Sequence, residues 1–350
     1  MSLSIDCDAC GKKNAKYRCK RCKSAHYCSN RCKRGHGHAC SNHRIGVLAS
    51  SAICPVSRGL PGLINNRDIT LGKELGKGAF GVVRAGKLRG QNVAVKTIQG
   101  QPTPKAIEEF TDEARLLGNI PPHPNVVKFI GITQNPLMLV TELVTGGALD
   151  SRLKPGKPNV QWNDVLRWAR DIARGVRHLH DNKIIHRDLA TRNVLLDNKG
   201  NAKVTDFGLS VRICSPQGRD PLSFRQIEFF RGPYKWMPPE SLAYQDFSTK
   251  SDVWAYGVTF WEILSRRAPF ESMDINTVKQ RVLQNKMRLP LPTRWPQRLR
   301  DLLTSCWRTS PTMRPTMLAI STTLKSIGDT TYNNRQLPAI SDSEIRTLYQ

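Results

Sequence analysis

HRDLATRNVLL, residues 186–196, sets His186, Arg187, Asp188, Arg192 and Asn193 within eight positions and then turns apolar. Two readings compete. The stretch is a charged surface loop, or it carries a base (Asp188) and a metal ligand (Asn193) that face a phosphate donor. The rest of the chain decides between them.

Upstream, LGKGAFGVV at 75–83 places Gly76, Gly78 and Gly81 in a G-x-G-x-x-G spacing. Glycines mark many turns. This set lies between two strand patterns with no helix after it, which suits a loop covering phosphates better than a dinucleotide-binding turn. VAVK follows and ends an apolar strand on Lys96. Glu113 comes 17 residues later in the helical run IEEFTDEARLLGNI, which would swing its carboxylate onto the ammonium and fix it against the α- and β-phosphates. Downstream stand DFG at 206–208 and PPE at 238–240. Chance supplies any one of these, but not the ordered set.

Around these motifs the hydrophobic pattern alternates strands and helices. Residues 69–98 and 126–142 read as β-rich, with NVAVKTI and LMLVTEL the plainest strands. Residues 162–182 carry Val165, Leu166, Ala169, Ile172, Ala173, Val176 and Leu179 on one helical side. From there to about 327 the pattern is mostly helical, and residues 328–350 read as a loose polar tail.

Residues 68–327 closely resemble a protein kinase catalytic domain. The resemblance implies an α+β, bilobal kinase fold, with a β-rich N-lobe, a helical C-lobe and ATP in the cleft between them. It also implies roles. Asp188 takes or orients the proton of the attacking hydroxyl. Asn193 and Asp206 hold magnesium, their oxygen donors suiting a hard cation. Lys96 positions the phosphates, and Glu113 positions Lys96. Leu75, Gly76, Gly78, Gly81, Val83 and Ala94 line the nucleotide, Thr141 guards the back of the adenine pocket, and Glu142 to Val144 supply backbone bonds to adenine. Glu240 pairs with Arg314, and Asp252 anchors the catalytic loop.

The acceptor hydroxyl is written in the same stretch. Serine/threonine kinases place Lys two residues after the catalytic Asp, whereas this chain has Ala190 there and Arg192 four after. HRDLATRN is one letter from the tyrosine-kinase form HRDLAARN. GPYKWMPPES (232–241), SDVWAYGVTFWEILS (251–265) and CWRTSPTMRPTM (306–317) agree with it. Pro233 and Trp236 match a platform holding the flat tyrosine ring beside the base. The expected activity is that of a non-receptor-type protein tyrosine kinase, with protein tyrosines as substrates. A catalytically inactive scaffold is the alternative, and the intact Lys96, Glu113, Asp188, Asn193 and Asp206 stand against it. Two departures are visible: Tyr234 and Pro238 replace the usual aliphatic residue and Ala of the platform. In addition, Phe224 occupies the usual autophosphorylation position, eleven before Lys235. Activation is therefore expected not to use tyrosine phosphorylation there, the loop being ordered by Phe224, Phe229 and Phe230 or by Ser223.

Ten cysteines are present, seven of them between Cys7 and Cys40. The pairs Cys7/Cys10, Cys19/Cys22, Cys28/Cys32 and His36/Cys40 make eight soft ligands, enough for two tetrahedral zinc ions. An odd seven cysteines and paired x2 spacings argue against disulfides, and a segment this poor in apolar residues needs another staple. Residues 7–40 resemble the MYND zinc fingers in YCS at 27–29, and the related HIT-type fingers in AKYRC at 15–19 and the short gap before His36. Either resemblance implies cross-braced pairing: Cys7, Cys10, Cys28 and Cys32 on one zinc, Cys19, Cys22, His36 and Cys40 on the other. His38 is the alternative to His36. The implied role is structural or adhesive, with a partner protein at the finger and nucleic acid the less favoured partner. Residues 41–67 read as a linker.

The net charge of +26 is uneven: residues 1–67 carry 13 Lys and Arg against 2 acids. Such a balance attracts acidic partners, but it also suits a solvated basic surface on a phosphate-binding protein. No signal peptide, lipidation motif or apolar run long enough to cross a bilayer is present in the sequence. The expected location is cytoplasmic, with a nuclear one also consistent. Tyr332, in TYNN of the tail, carries an Asn two residues on, a weak phosphotyrosine-docking signal.

Overall fold

Gln91 to Thr97 buries Val93 and Val95 and leaves Asn92, Ala94 and Lys96 between and beside them less buried, the period of a strand with one buried face. In the computed structural model this pattern becomes the middle of a sheet. The structure describes residues 60–78, 81–213, 232–284, 286–328, 340–341 and 343–345, and the backbone of 17–18 and 26–27. The chain divides into two units, Met1–Ser51 and Ala52–Gln350. In the first, β1 (Tyr17–Arg18) and β2 (His26–Tyr27) pair antiparallel, with Tyr17 opposite Tyr27. All eight residues of the zinc pattern lie outside the described residues, as do Ser223, Phe224, Phe229, Phe230 and Tyr332.

The second unit opens with β3 (Ile69–Gly78), β4 (Gly81–Leu88) and β5 (Gln91–Thr97). Arg89 and Gly90, both at positive φ, make the tight turn that joins β4 to β5 with the twist a hairpin needs. Helix α1 (Pro104–Gly118) follows. Thr103 caps it by accepting from the Ala106 amide, and Pro104 sits in its first turn, where no amide donor is missed. Strands β6 (Phe129–Gln134) and β7 (Leu137–Glu142) complete an antiparallel sheet of order β3-β4-β5-β7-β6. Val93, Val95, Met138 and Val140 form a small core on it. The buried face of α1 holds Phe110, Ala114, Leu116 and Leu117, and among them Glu113.

Beyond β7 the chain becomes helical: α2 (Leu149–Leu153) and α3 (Trp162–Asp181). All seven residues expected on the inner side of α3 are buried. Short strands β8 (Ile184–Ile185), β9 (Val194–Leu196), β10 (Ala202–Val204) and β11 (Val211–Arg212) pair as β8 with β11 and β9 with β10. These two ribbons bracket residues 186–193 and 205–210. Helices α4 (Pro239–Tyr244), α5 (Thr249–Ser265), α6 (Ile275–Gln284), α7 (Gln297–Cys306) and α8 (Met317–Gly328) complete the lobe. Helix α5 is its post. Every residue from Ser251 to Ser265 is buried, as expected of a helix surrounded by others. Its Tyr256 hydroxyl donates to Ala169 O at 2.9 Å, and its Thr259 hydroxyl to Leu189 O at 3.2 Å. Among the described residues no helix is long and apolar enough to cross a membrane.

Two stretches depart from the sequence reading. The end of the expected linker joins the sheet: Ile64 N donates to Ile132 O at 2.9 Å, and Ile132 N to Gly62 O at 3.0 Å. Glycines allow this approach, because a Cβ on Gly131 would stand 2.1 Å from Gly62 O. The polar tail docks at 340–341 and 343–345. Ile340 is 1 % exposed in the main core, Arg267 Nε donates to Ile340 O at 2.8 Å, and Glu344 pairs with Arg294.

Candidate active site

Strand β5 carries Lys96 and the inner face of α1 carries Glu113. Lys96 Nζ lies 2.8 Å from both Glu113 carboxylate oxygens and 3.4 Å from Asp206 Oδ1. Burial alone would lower the pKa of the lysine. The two carboxylates outweigh it and raise the pKa, so the ammonium stays charged. A fixed cation at the end of a strand, beneath a glycine loop, suits a phosphate.

The glycine loop is shaped for close approach. Gly81 has φ +135°, and a Cβ there would strike Thr97 O at 2.1 Å, so only glycine fits the return into β4. A Cβ on Gly76 or Gly78 would meet nothing within 4 Å, which leaves the loop face open. Beneath it Val83 pairs with Lys96 and Ala94 with Thr141 across the sheet, and Leu75 is half exposed. Glu142 closes β7, and the chain leaves the sheet through Val144.

The stretch 186–193 hangs from helix α5. Asp252, fully buried, accepts from the His186 amide at 2.8 Å and the Arg187 amide at 3.0 Å, and His180 Nε2 lies 2.9 Å away. Burial would raise the Asp252 pKa. The hydrogen bond from His180, the two nearby imidazoles and the His186 amide hold it below the ordinary value. His186 accepts the Asp188 amide on Nδ1 at 3.2 Å, which assigns the proton to Nε2, 3.0 Å from Thr205 O. Arg187 sits at φ +65° with its guanidinium 5.3 Å from the centre of the Phe247 ring, and its Nε donates to Leu209 O. Asp206 is also left-handed, at φ +61°. Phe207 behind it is buried against His186, ring centres 5.3 Å apart. Non-glycine residues tolerate that region only where their surroundings hold them there.

Asp188 is 7 % exposed, and burial raises its pKa against the pull of Arg192. Arg192 pairs with its carboxylate and lies 4.5 Å over the Trp236 ring. Asn193 donates to Asp188 O at 2.7 Å, so the two are fixed to one another. Asn193, Asp206 and Lys96 therefore converge with Asp188. The oxygen donors of Asn193 and Asp206 are of the kind a magnesium ion takes, and a charged ammonium beside them is of the kind a polyphosphate takes. Glu240 grips Arg314 with two bonds of 2.6 and 2.8 Å, away from this centre.

Two residues escaped the sequence reading. Lys203 donates to Glu142 at 2.8 Å, tying the end of β7 to the strand that leads into Asp206. Its only signal in the sequence is a cation three residues before that aspartate. Glu262 could have been found as the lone acid of the apolar run VWAYGVTFWEIL, since a charge in such a run needs partners.

Residues 69–324 match the family described as protein tyrosine and serine/threonine kinase. The chain is 37 % identical over 271 residues to the tyrosine-protein kinase HTK16 of Hydra vulgaris, covering 75 % of this chain and 35 % of that protein. It is 34 % identical over 270 residues to the tyrosine-protein kinase transforming protein Fps of an avian sarcoma virus (strain PRCII), covering 76 % and 49 %. With Fer-related kinase 1 of Caenorhabditis elegans it shares 36 % over 272 residues, covering 76 % and 67 %. The chain thus spans about a third to two thirds of the length of these relatives. With the site geometry and these matches together, the chain belongs to the protein tyrosine and serine/threonine kinase family, through a catalytic domain of the tyrosine-kinase type.

Proposed function

We propose that this chain is a non-receptor-type protein tyrosine kinase, transferring the γ-phosphate of ATP to tyrosine hydroxyls of proteins. The observation that carries the reading is Arg192, held between Asp188 and the Trp236 ring, with the small Ala190 where a lysine would otherwise fill the approach. Trp236 offers a flat wall for the acceptor ring, and a tyrosine oxygen stands far enough from its backbone to reach Asp188. The names of the three relatives as kinases, two of them tyrosine-protein kinases, agree.

The reaction asks for alignment and charge neutralisation more than covalent help. Asp188 orients the acceptor hydroxyl and takes its proton as the oxygen bonds to the γ-phosphorus and the bond to ADP breaks. Lys96, fixed by Glu113, holds the α- and β-phosphates. Leu75, Val83, Ala94 and Thr141 enclose the adenine, and Glu142 to Val144 offer it backbone groups. Asn193 and Asp206 would hold magnesium, which neutralises phosphate charge when bound.

Residues 7–40 we read as a cross-braced finger holding two zinc ions and recruiting a partner protein. Eight ligands in four pairs, with the paired strands β1 and β2 beside Cys19 and Cys28, support this. The activation segment we read as independent of phosphate at position 224, a phenylalanine. Transfer of labelled phosphate to poly-Glu-Tyr, lost in Asp188→Asn, tests the activity. Transfer that persists in that variant, or none by the wild type, refutes it. Mass spectrometry of the same sample counts zinc: two per chain is expected, and none refutes the finger.

A further inference from the structure

Glu262 of α5 is 7 % exposed, and its two oxygens accept from two separate parts of the acceptor side. Oε1 accepts from the Thr191 hydroxyl at 2.9 Å. Oε2 accepts from the Trp236 indole Nε1 at 2.8 Å and the Thr191 amide at 3.3 Å. Thr191 precedes Arg192 in the chain, and Trp236 is the ring under the Arg192 guanidinium. The contacts close a ring: Glu262 to Thr191, on to Arg192, across to Trp236, and back to Glu262.

The cost of this arrangement argues that it does something. An isolated acid among apolar side chains is expensive to bury, and burial pushes the Glu262 carboxyl up to about 7 despite its donors. A leucine would fill the same space without that cost. The bonds fix two freedoms that packing leaves loose. An indole slides in its own plane unless its N–H is held, and the 3-10 turn Thr191–Asn193 has no side-chain cap of its own. Held together, they set where the guanidinium lies and how it meets Asp188. Among the described contacts, Glu262 bonds neither to Lys96, Glu113 nor Asp206, so the nucleotide side is independent of it.

We propose that Glu262 is a positioning residue for the phosphate acceptor: by holding Thr191 and Trp236 at once, it sets the pose in which Arg192 and Asp188 receive a tyrosine hydroxyl. The inference rests on the kinase reading above. It says that the chain separates acceptor positioning from nucleotide positioning, and that Thr191 and Glu262 act on the acceptor without touching it.

Steady-state kinetics of the full chain, with ATP and poly-Glu-Tyr, tests this. Thr191→Val keeps the branched shape and loses the hydroxyl; Trp236→Phe keeps a smaller aromatic face and loses the N–H. Each should raise the KM for poly-Glu-Tyr about fivefold, the loss of one buried hydrogen bond, and leave the KM for ATP unchanged. The double variant should fall short of the product of the two, since both bonds end on one carboxylate. Thr191→Ser should restore the wild-type value. A role confined to stability predicts a lower melting temperature with both KM values intact. Thr191→Val and Trp236→Phe enzymes with the wild-type KM for poly-Glu-Tyr overturn the proposal, as does an equal rise in both KM values. A wild type that phosphorylates no tyrosine overturns the kinase reading itself, and this one with it.

Discussion

Lys96 Nζ stands 2.8 Å from both carboxylate oxygens of Glu113, a residue 17 positions away on a different element. The pair exists because α1 turns its single buried acid toward β5, and it holds the ammonium charged and aimed toward Asp206. Lys96→Met removes the cation that the kinase reading sets against the phosphates. Its expected effect is a fall in kcat of about 10² to 10³, the size seen when one preorganised charge donor is removed. Glu113→Gln keeps the cation but loosens it, so a smaller loss is expected. Phosphate transfer to poly-Glu-Tyr at saturating ATP measures both.

The Glu262 carboxyl titrates in a range that stability measurements reach. Its folded pKa of about 7 lies above its ordinary 4.5, so between these values the folded chain binds more protons than the unfolded one. The contribution to stability is full below pH 4.5, falls as pH rises to 7, and is flat above. Glu262→Gln has no charge to bury, and its amide serves the same three partners. Relative to wild type, the variant should gain stability as pH rises from 5 to 7, up to about 3 kcal/mol. The pull of Arg192 is already contained in that folded value. Denaturant titrations at pH 5, 6, 7 and 8 read the difference; a gap that does not change with pH would show that Glu262 is ionised throughout.

How much of this was legible follows physical lines. The convergence of Lys96, Glu113, Asp188, Asn193 and Asp206 was, because each member is a residue type with chemistry of its own at a spacing that a strand, helix or turn makes meaningful. The inner face of α3 was legible from its period. Helix α5 has no polar face, so periodicity could not orient it. The partners of Asp252, Tyr256, Thr259 and Glu262 show which way it looks. Lone apolar residues leave no period at all, and Ile340 in its polar tail was read as loose for that reason.

That residue supplies a third prediction. Ile340 is 1 % exposed, and its backbone bonds to Ser265 O at 3.3 Å and Arg267 Nε at 2.8 Å. Ile340→Ala removes buried methyl groups from the main core and should cost about 3 kcal/mol. A loose tail would tolerate it without loss. Thermal melting of the full chain separates the two, and truncation before residue 340 should lower the melting temperature at least as far.

The bond between Glu240 and Arg314 yields a fourth. The Arg314 side chain is fully buried, with bonds to both Glu240 oxygens, Lys250 O and Arg308 O, and its guanidinium 5.0 Å from the centre of the Trp254 ring. Glu240→Ala leaves that cation without its anion in a water-poor site, costing about 3 kcal/mol or more. The loss should appear in the melting temperature, while the KM for ATP of the surviving folded enzyme stays at the wild-type value. A matched fall in ATP affinity would instead tie this pair to the cleft.

Asp252 connects stability and rate. Its carboxylate receives the His186 and Arg187 amides, the two donors that open the loop. Asp252→Asn presents an amide group to one of those donors, and two N–H groups facing each other cannot both be satisfied. The loop carrying Asp188 should then lose its fixed height above α5. The expected result is a lower melting temperature together with a fall in kcat, at an unchanged KM for ATP, because no nucleotide contact is touched. The acid limb carries the sign. The folded pKa of Asp252 is depressed, so its contribution is full above the ordinary value of 3.8 and is lost as pH falls through the depressed one. The wild type should thus lose its advantage over the variant only in that acid range. An advantage already disappearing at pH 6 would place the titrating group elsewhere than Asp252.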